Sequence, residues 1–177
     1  MKTRKSRDAA LKSRAVLSVG NGLRGSVAAA VAAAALIAMP VHGHHSFAMY
    51  NLQITKVFTG VVTRINPAPN HLQIFFAPMN QERNNVERDA SGEPVIWNVE
   101  MDGAAPMSRQ GISVDAFPPG TIFSVGLHPL RSGISAGTRE GGIFKCPEHQ
   151  RPAVGMHCDS VEGHTLIGAE PLPEPKE

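Results

Sequence analysis

Glycine and proline punctuate this chain densely, at 17 and 14 of 177 residues, so short strands joined by turns fit it better than long helices. Between the breaks, strand-like runs are legible. Thr55-Lys-Val-Phe-Thr-Gly-Val-Val-Thr-Arg-Ile65 is rich in β-branched residues and ends at the turn signal Asn66-Pro67. His71-Leu-Gln-Ile-Phe-Phe76 alternates, with Leu72, Ile74 and Phe76 on one face. Pro94-Val-Ile-Trp-Asn-Val-Glu-Met101 sets Val95, Trp97, Val99 and Met101 on one face, which predicts a core with Trp97 as its largest member. Thr121-Ile-Phe-Ser-Val-Gly-Leu-His128, a late run from Gly142-Ile-Phe-Lys145, and His164-Thr-Leu-Ile-Gly168 complete the set. Residues 80–92 read as a polar connection, 104–111 as one or two helical turns, and 129–137 as a Gly/Ser-rich loop. The fold expected is all-β: a small antiparallel barrel or sandwich of five to six strands, OB-like. One domain over residues 44–168 is expected, followed by a disordered Pro-rich tail over 169–177.

Residues 1–43 are expected to be a signal peptide. A basic region ends at Arg24, an apolar run of mostly alanine extends from Ser26 to Met39, and Val41-His42-Gly43 places small residues three before and one before a cut. Fourteen weakly apolar residues are short of the roughly 20 needed to span a bilayer, which disfavours an uncleaved anchor. No Arg-Arg pair precedes the run and no cysteine follows it at the cut, so neither the twin-arginine route nor a lipid anchor is indicated. The product expected is soluble, in the periplasm or secreted.

Removing the leader changes the charge. It holds Lys2, Arg4, Lys5, Arg7, Lys12, Arg14 and Arg24 against the single acid Asp8, leaving ten bases and fourteen acids, a net of −4. Binding a nucleic acid needs a cationic surface to displace counterions, so that class is excluded. Both cysteines, Cys146 and Cys158, fall in the mature part. An even count in an oxidising compartment favours a disulfide between them. With His149 and His157 beside them, a tetrahedral zinc site stays open as the alternative.

The strongest chemical lead is His44-His45. Cleavage after Gly43 frees the amine of His44, which with the two rings makes three adjacent nitrogen donors. An α-amine titrates near pH 7.7–8.0, so part of it is deprotonated at neutral pH. Nitrogen-rich tetragonal sites suit Cu(II) above other divalent metals. A cut one residue earlier would leave Gly43-His44-His45, whose third-position histidine also chelates Cu(II) through the intervening amides. The competing reading is a frayed terminus that binds metal only as any exposed histidine does. A fixed site needs further ligands, and His71 and His128, each at a strand edge beside a proline-containing turn, are the candidates for a third. The ordinary role of such a histidine is half-buried and hydrogen-bonded.

Enzyme templates are missing: the chain contains no Gly-x-Ser-x-Gly, no phosphate-binding glycine loop and no His-Glu-x-x-His. No catalytic residue is therefore assigned.

His44-His-Ser-Phe-Ala-Met49, Thr59-Gly-Val-Val, Asn66-Pro67, Trp97-Asn-Val-Glu100 and His128-Pro-Leu-Arg-Ser-Gly133 stand in this order. Together they resemble a domain-of-unknown-function family of small exported bacterial proteins whose mature chains open His-His-Ser-Phe. The resemblance covers most of residues 44–145 and implies a periplasmic or secreted β-rich domain, with no activity or ligand to carry over. The family pattern runs Asn-Pro-His at the second turn, whereas here Ala68-Pro69-Asn70 intervene before His71. The functional expectation is a small exported binding protein holding copper through His44 and His45. The alternative is a metal-independent module whose barrel face and loops around Arg131 meet a cell-envelope protein or a small ligand.

Overall fold

In the computed structural model, which describes residues 47–177, five strands close into a barrel and a sixth extends it. The expected signal peptide and the His44-His45 pair lie outside the described residues. The strands are β1 (Lys56–Pro67), β2 (Leu72–Pro78), β3 (Trp97–Met101), β4 (Ile122–Pro129), β5 (Ala136–Lys145) and β6 (Thr165–Ile167), with helix α1 (Ala104–Arg109) between β3 and β4. They are ordered β3-β2-β1-β4-β5-β6, and β3 also pairs with β5. That last pairing is parallel, Val99 opposite Gly137, and it closes the sheet on itself. The expected OB-like barrel is thus present, and its ladder is mixed rather than wholly antiparallel. Closure removes the open edges of its five strands, which would otherwise invite pairing with other chains.

Alternation decides the interior. Val62, Leu72, Ile74, Phe76, Val99, Met101, Phe123, Val125, Leu127 and Ile143 come from all five barrel strands and pack as one cluster. Phe76 and Phe117 both meet Phe123 edge-on, with centroids 5.3 and 5.9 Å apart, which suits the ring quadrupoles. Of the four residues expected on the inner face of β3, Val99 and Met101 are buried, while Val95 and Trp97 are half-buried. Trp97 lies against Phe58 at 4.6 Å instead of at the centre of the core. Helix α1 contributes Met107 to the interior.

Strand β5 begins at Ala136, well before the run at Gly142 that the sequence suggests. Ala-Gly-Thr-Arg-Glu has little β-propensity of its own, but pairing with β4 on one side and β3 on the other holds it extended. A register shift separates Val125 opposite Ile143 from Gly126 opposite Glu140. Gly141, at φ +69°, supplies the left-handed residue that such a bulge uses.

Chain beyond β5 covers the outside of the barrel. A second small cluster joins Phe144, Cys146 and Cys158 with Ile122, Val161 and Leu172. Residues 169–177, for which composition predicts disorder, lie on this face in the structure. Pro173 sits on Gly126, where a Cβ would collide with the proline ring. Further on, Lys176 exchanges two backbone hydrogen bonds with Thr55, at 2.8 and 2.9 Å.

Candidate functional site

The described chain starts with a 3₁₀ turn, Phe47–Met49, and is held against the end of β4 and the loop that follows. Asn51 N–H donates to the Pro129 carbonyl at 2.8 Å, and Arg131 N–H to the Met49 carbonyl at 2.9 Å. The Arg131 guanidinium adds a bond from Nε to the Ala48 carbonyl at 3.2 Å. Arg131, in the loop that the alternative reading offers to a partner, thus also holds the protein's own N-terminal segment.

This clamp seats Tyr50, only 5% exposed, over the outer face of β2 and β3. Its hydroxyl donates to Glu100 Oε1 at 3.2 Å. His71 Nδ1 lies 2.8 Å from the same oxygen. Gln73, directly opposite Glu100 in the β2–β3 ladder, donates from Nε2 to Oε2 at 3.3 Å and accepts from Asn66 Nδ2 at 3.2 Å. A carboxylate can only accept, so Nδ1 of His71 donates to Glu100. Burial, and then the negative charge and hydrogen bond of Glu100, push the Tyr50 phenol up to about 12. A histidine whose Nδ1 is bonded to a carboxylate has the form that metal-binding histidines usually take.

His128, the other candidate, is placed differently. Its Nδ1 donates to the Ile54 carbonyl at 2.8 Å, and its Nε2 lies 3.2 Å from Glu140 Oε2. Thr55 Oγ1 donates to that same carboxylate oxygen at 2.8 Å. Both ring nitrogens of His128 are engaged within the fold, so it reads as a hydrogen-bonded structural histidine.

Cys146 and Cys158 form a disulfide, with Cα atoms 5.0 Å apart. His157 turns away from it: Nδ1 is 2.8 Å from Thr59 Oγ1, which lies 2.7 Å from Ser124 Oγ. Ser124 Oγ in turn accepts from the Cys158 N–H at 2.9 Å. Burial, together with the positive charge of Arg83, holds His157 below its ordinary value of 6.5. Arg83 is itself buried, its guanidinium donating to the carbonyls of Met156, Met79 and Asn80. These groups staple the disulfide loop to β1 and β4. Beside the disulfide a cleft of about 540 Å³ is lined by Pro118, Thr121, Lys145, Pro147, His149 and Arg151.

Among the described residues, no group of three or more His, Cys, Asp and Glu side chains is placed to hold a metal ion. Nor is any described helix long and apolar enough to cross a membrane. The sequence singled out His71 but neither of the two side chains that orient it. Glu100 was visible as the polar member of an alternating strand. That it faces His71 depends on the β2–β3 register, which no local pattern encodes. Tyr50 reaches it only through the clamp at residues 129–131.

Fold and site together define a small closed barrel of the OB kind that carries a carboxylate–histidine pair beside its N-terminal segment. The chain belongs to the family of unknown function DUF6152, whose profile matches residues 30–139. The matched span contains His44, His45, His71, Glu100 and His128, and it ends before the disulfide. No curated protein and no solved structure matches the chain.

Proposed function

We propose that the protein is exported, loses residues 1–43, and serves in the periplasm or outside the cell as a small copper-binding protein. In this reading the freed amine, His44 and His45 hold Cu(II) for storage, delivery or protection. The feature that supports it most is the cluster of three nitrogen donors at the expected cut, the freed amine and the rings of His44 and His45.

N-terminal sequencing of the exported protein is expected to read His44-His45-Ser46. A processed chain still carrying residues 30–38 would overturn the cleavage. For copper, three proteins are compared by titration: one beginning at His44, one with Met-Gly-Ser added before it, and one with both histidines changed to alanine. One equivalent of Cu(II) is expected on the first, with weaker binding on the second and least on the third. Protons compete for the amine and the rings, so affinity is expected to fall below about pH 6.5. Zinc is expected to bind more weakly than copper. Equal binding by all three would remove the metal role and leave the metal-independent envelope module as the better reading.

A further inference from the structure

We propose that the cleft beside the disulfide binds a small organic anion, a carboxylate or phosphate monoester carried on a ring or other apolar body. The proposal stands apart from the copper reading and uses none of its residues. The cleft holds about 540 Å³, within the range of sites that take small molecules. An adjoining hollow of about 200 Å³ shares Gly120, Ile122 and Arg151 with it and extends it to Asn84 and Asn85.

Charge points to the ligand's head. Lys145 and Arg151 line the cleft against one acid, Glu148, on a mature chain whose net charge is −4. Neither cation has a carboxylate partner among the described residues. Each is held instead by a backbone carbonyl: Lys145 Nζ donates to Ala116 at 2.7 Å, and Arg151 Nη1 donates to Asn84 at 2.9 Å. An ammonium has three donors and a guanidinium five, so each anchored head keeps donors beyond that bond. An anion meeting them forms charge-assisted hydrogen bonds, about twice as strong as neutral ones. The walls point to the ligand's body, since Pro118, Ile122 and Pro147 present apolar surface. These walls are stiff. Thr121 N–H bonds the Pro118 carbonyl at 3.1 Å, Cys146 N–H bonds the Ile122 carbonyl at 3.0 Å, and the disulfide ties Cys146 to Cys158. A site already shaped loses little freedom on binding. His149, third in the turn that Gln150 N–H closes onto Pro147, has φ +60°, where glycine is the usual occupant. Lys145, Glu148, His149 and Arg151 all lie beyond the matched residues 30–139, so the cleft's charge belongs to the disulfide arm of this chain.

The test uses the mature, disulfide-bonded protein with a chelator present, so that no bound metal contributes. The probes are phenyl phosphate and benzoate, with inorganic phosphate as the head alone and phenol as the ring alone. In NMR titrations the tighter of the two organic anions, which identifies the preferred head, is expected to bind with a Kd under about 1 mM. It is expected to shift the amides of Thr121, Lys145, Cys146 and Arg151. Inorganic phosphate and phenol are each expected to bind at least about 10-fold more weakly. Arg151→Gln and Lys145→Met are each expected to weaken the organic anion by about 10-fold. Glu148→Gln is expected to strengthen it by about 2-fold. Arg64→Gln, on β1 over the Phe75 ring, is expected to leave it unchanged. Should Lys145→Met fail to fold for want of the Ala116 bond, Arg151→Gln and the amide shifts of the unmodified protein decide. Weaker binding by both organic anions, shifts that miss the cleft, or native affinity in Arg151→Gln overturns the proposal. Inorganic phosphate binding as tightly as phenyl phosphate overturns the organic body. Copper binding by the His44–His45 pair is read in its own titration, and neither result bears on the other.

Discussion

Tyr50 is the single tyrosine of the chain, so its ionisation can be followed alone in the ultraviolet difference spectrum. Its hydroxyl is committed to Glu100, and the folded protein holds its proton to about pH 12, against an ordinary 10.0. The sign of the effect on stability follows from linkage. Between pH 10 and 12 the unfolded chain releases this proton while the folded protein keeps it, so stability falls as pH rises through that window. Alkaline titration of the native protein is therefore expected to show a midpoint near 12, moving to about 10 in denaturant. Glu100→Gln removes the charge but not the burial, and its midpoint is expected to lie between the two. A native midpoint at the ordinary value would mean that the phenol is not seated as described. At this scale the sequence was partly legible. His71 stood out by its type and its place at a strand edge. Glu100 did not, because a lone acid on the polar side of a strand reads as solvated until the opposite strand's register is known.

Among the elements, the segment beyond β5 departs most from what composition suggests. Proline, glutamate and lysine at residues 170–177 carry too little apolar area to fold alone, which is why the tail reads as disordered. What composition cannot reveal is the surface waiting for it: Gly126 and Gly142 leave the outside of β4 and β5 flat, and the backbone around Thr55 offers a ladder to Lys176. The start of β5 escaped detection for a related reason, since its pairing on both sides outweighs a weak local preference. The Cys146–Cys158 bond anchors this covering to the barrel and closes a loop of sequence separation 12. Replacing both cysteines by serine is expected to lower unfolding stability by about 3 kcal/mol, chiefly by freeing the unfolded chain. Denaturant midpoints of the oxidised native and the double variant measure this. A difference under about 1 kcal/mol would show that the bond constrains little that Arg83, His157 and Ser124 do not already hold.

For the molecule as a whole, the count of strands, their all-β class and most of the inner faces followed from alternation and turn signals, because both are local properties of the chain. Barrel closure was not local. The parallel β3–β5 pairing joins residues nearly forty apart and is specified only once β1, β2 and β4 are in place. That interdependence bears on how the protein unfolds. The core cluster draws on every barrel strand and on Ile167 of β6, so no strand can leave without exposing apolar surface that the others share. Chain ends usually fray first, but here Lys176 bonds Thr55 just ahead of β1, and Leu172 packs into the disulfide cluster. Unfolding of residues 44–177 is therefore expected to be one cooperative transition, with the covering segment included. Fluorescence of Trp97, the single tryptophan, reports the barrel, and far-ultraviolet circular dichroism reports the backbone; their denaturant curves are expected to coincide. Hydrogen exchange at the Lys176 amide reports the covering segment, because that N–H donates to the Thr55 carbonyl at 2.9 Å. Its protection is expected to approach that of amides in β1. Exchange at Lys176 as fast as in an unstructured peptide, with β1 still protected, would make the covering segment a separate and weaker element, and the barrel alone would be the cooperative unit.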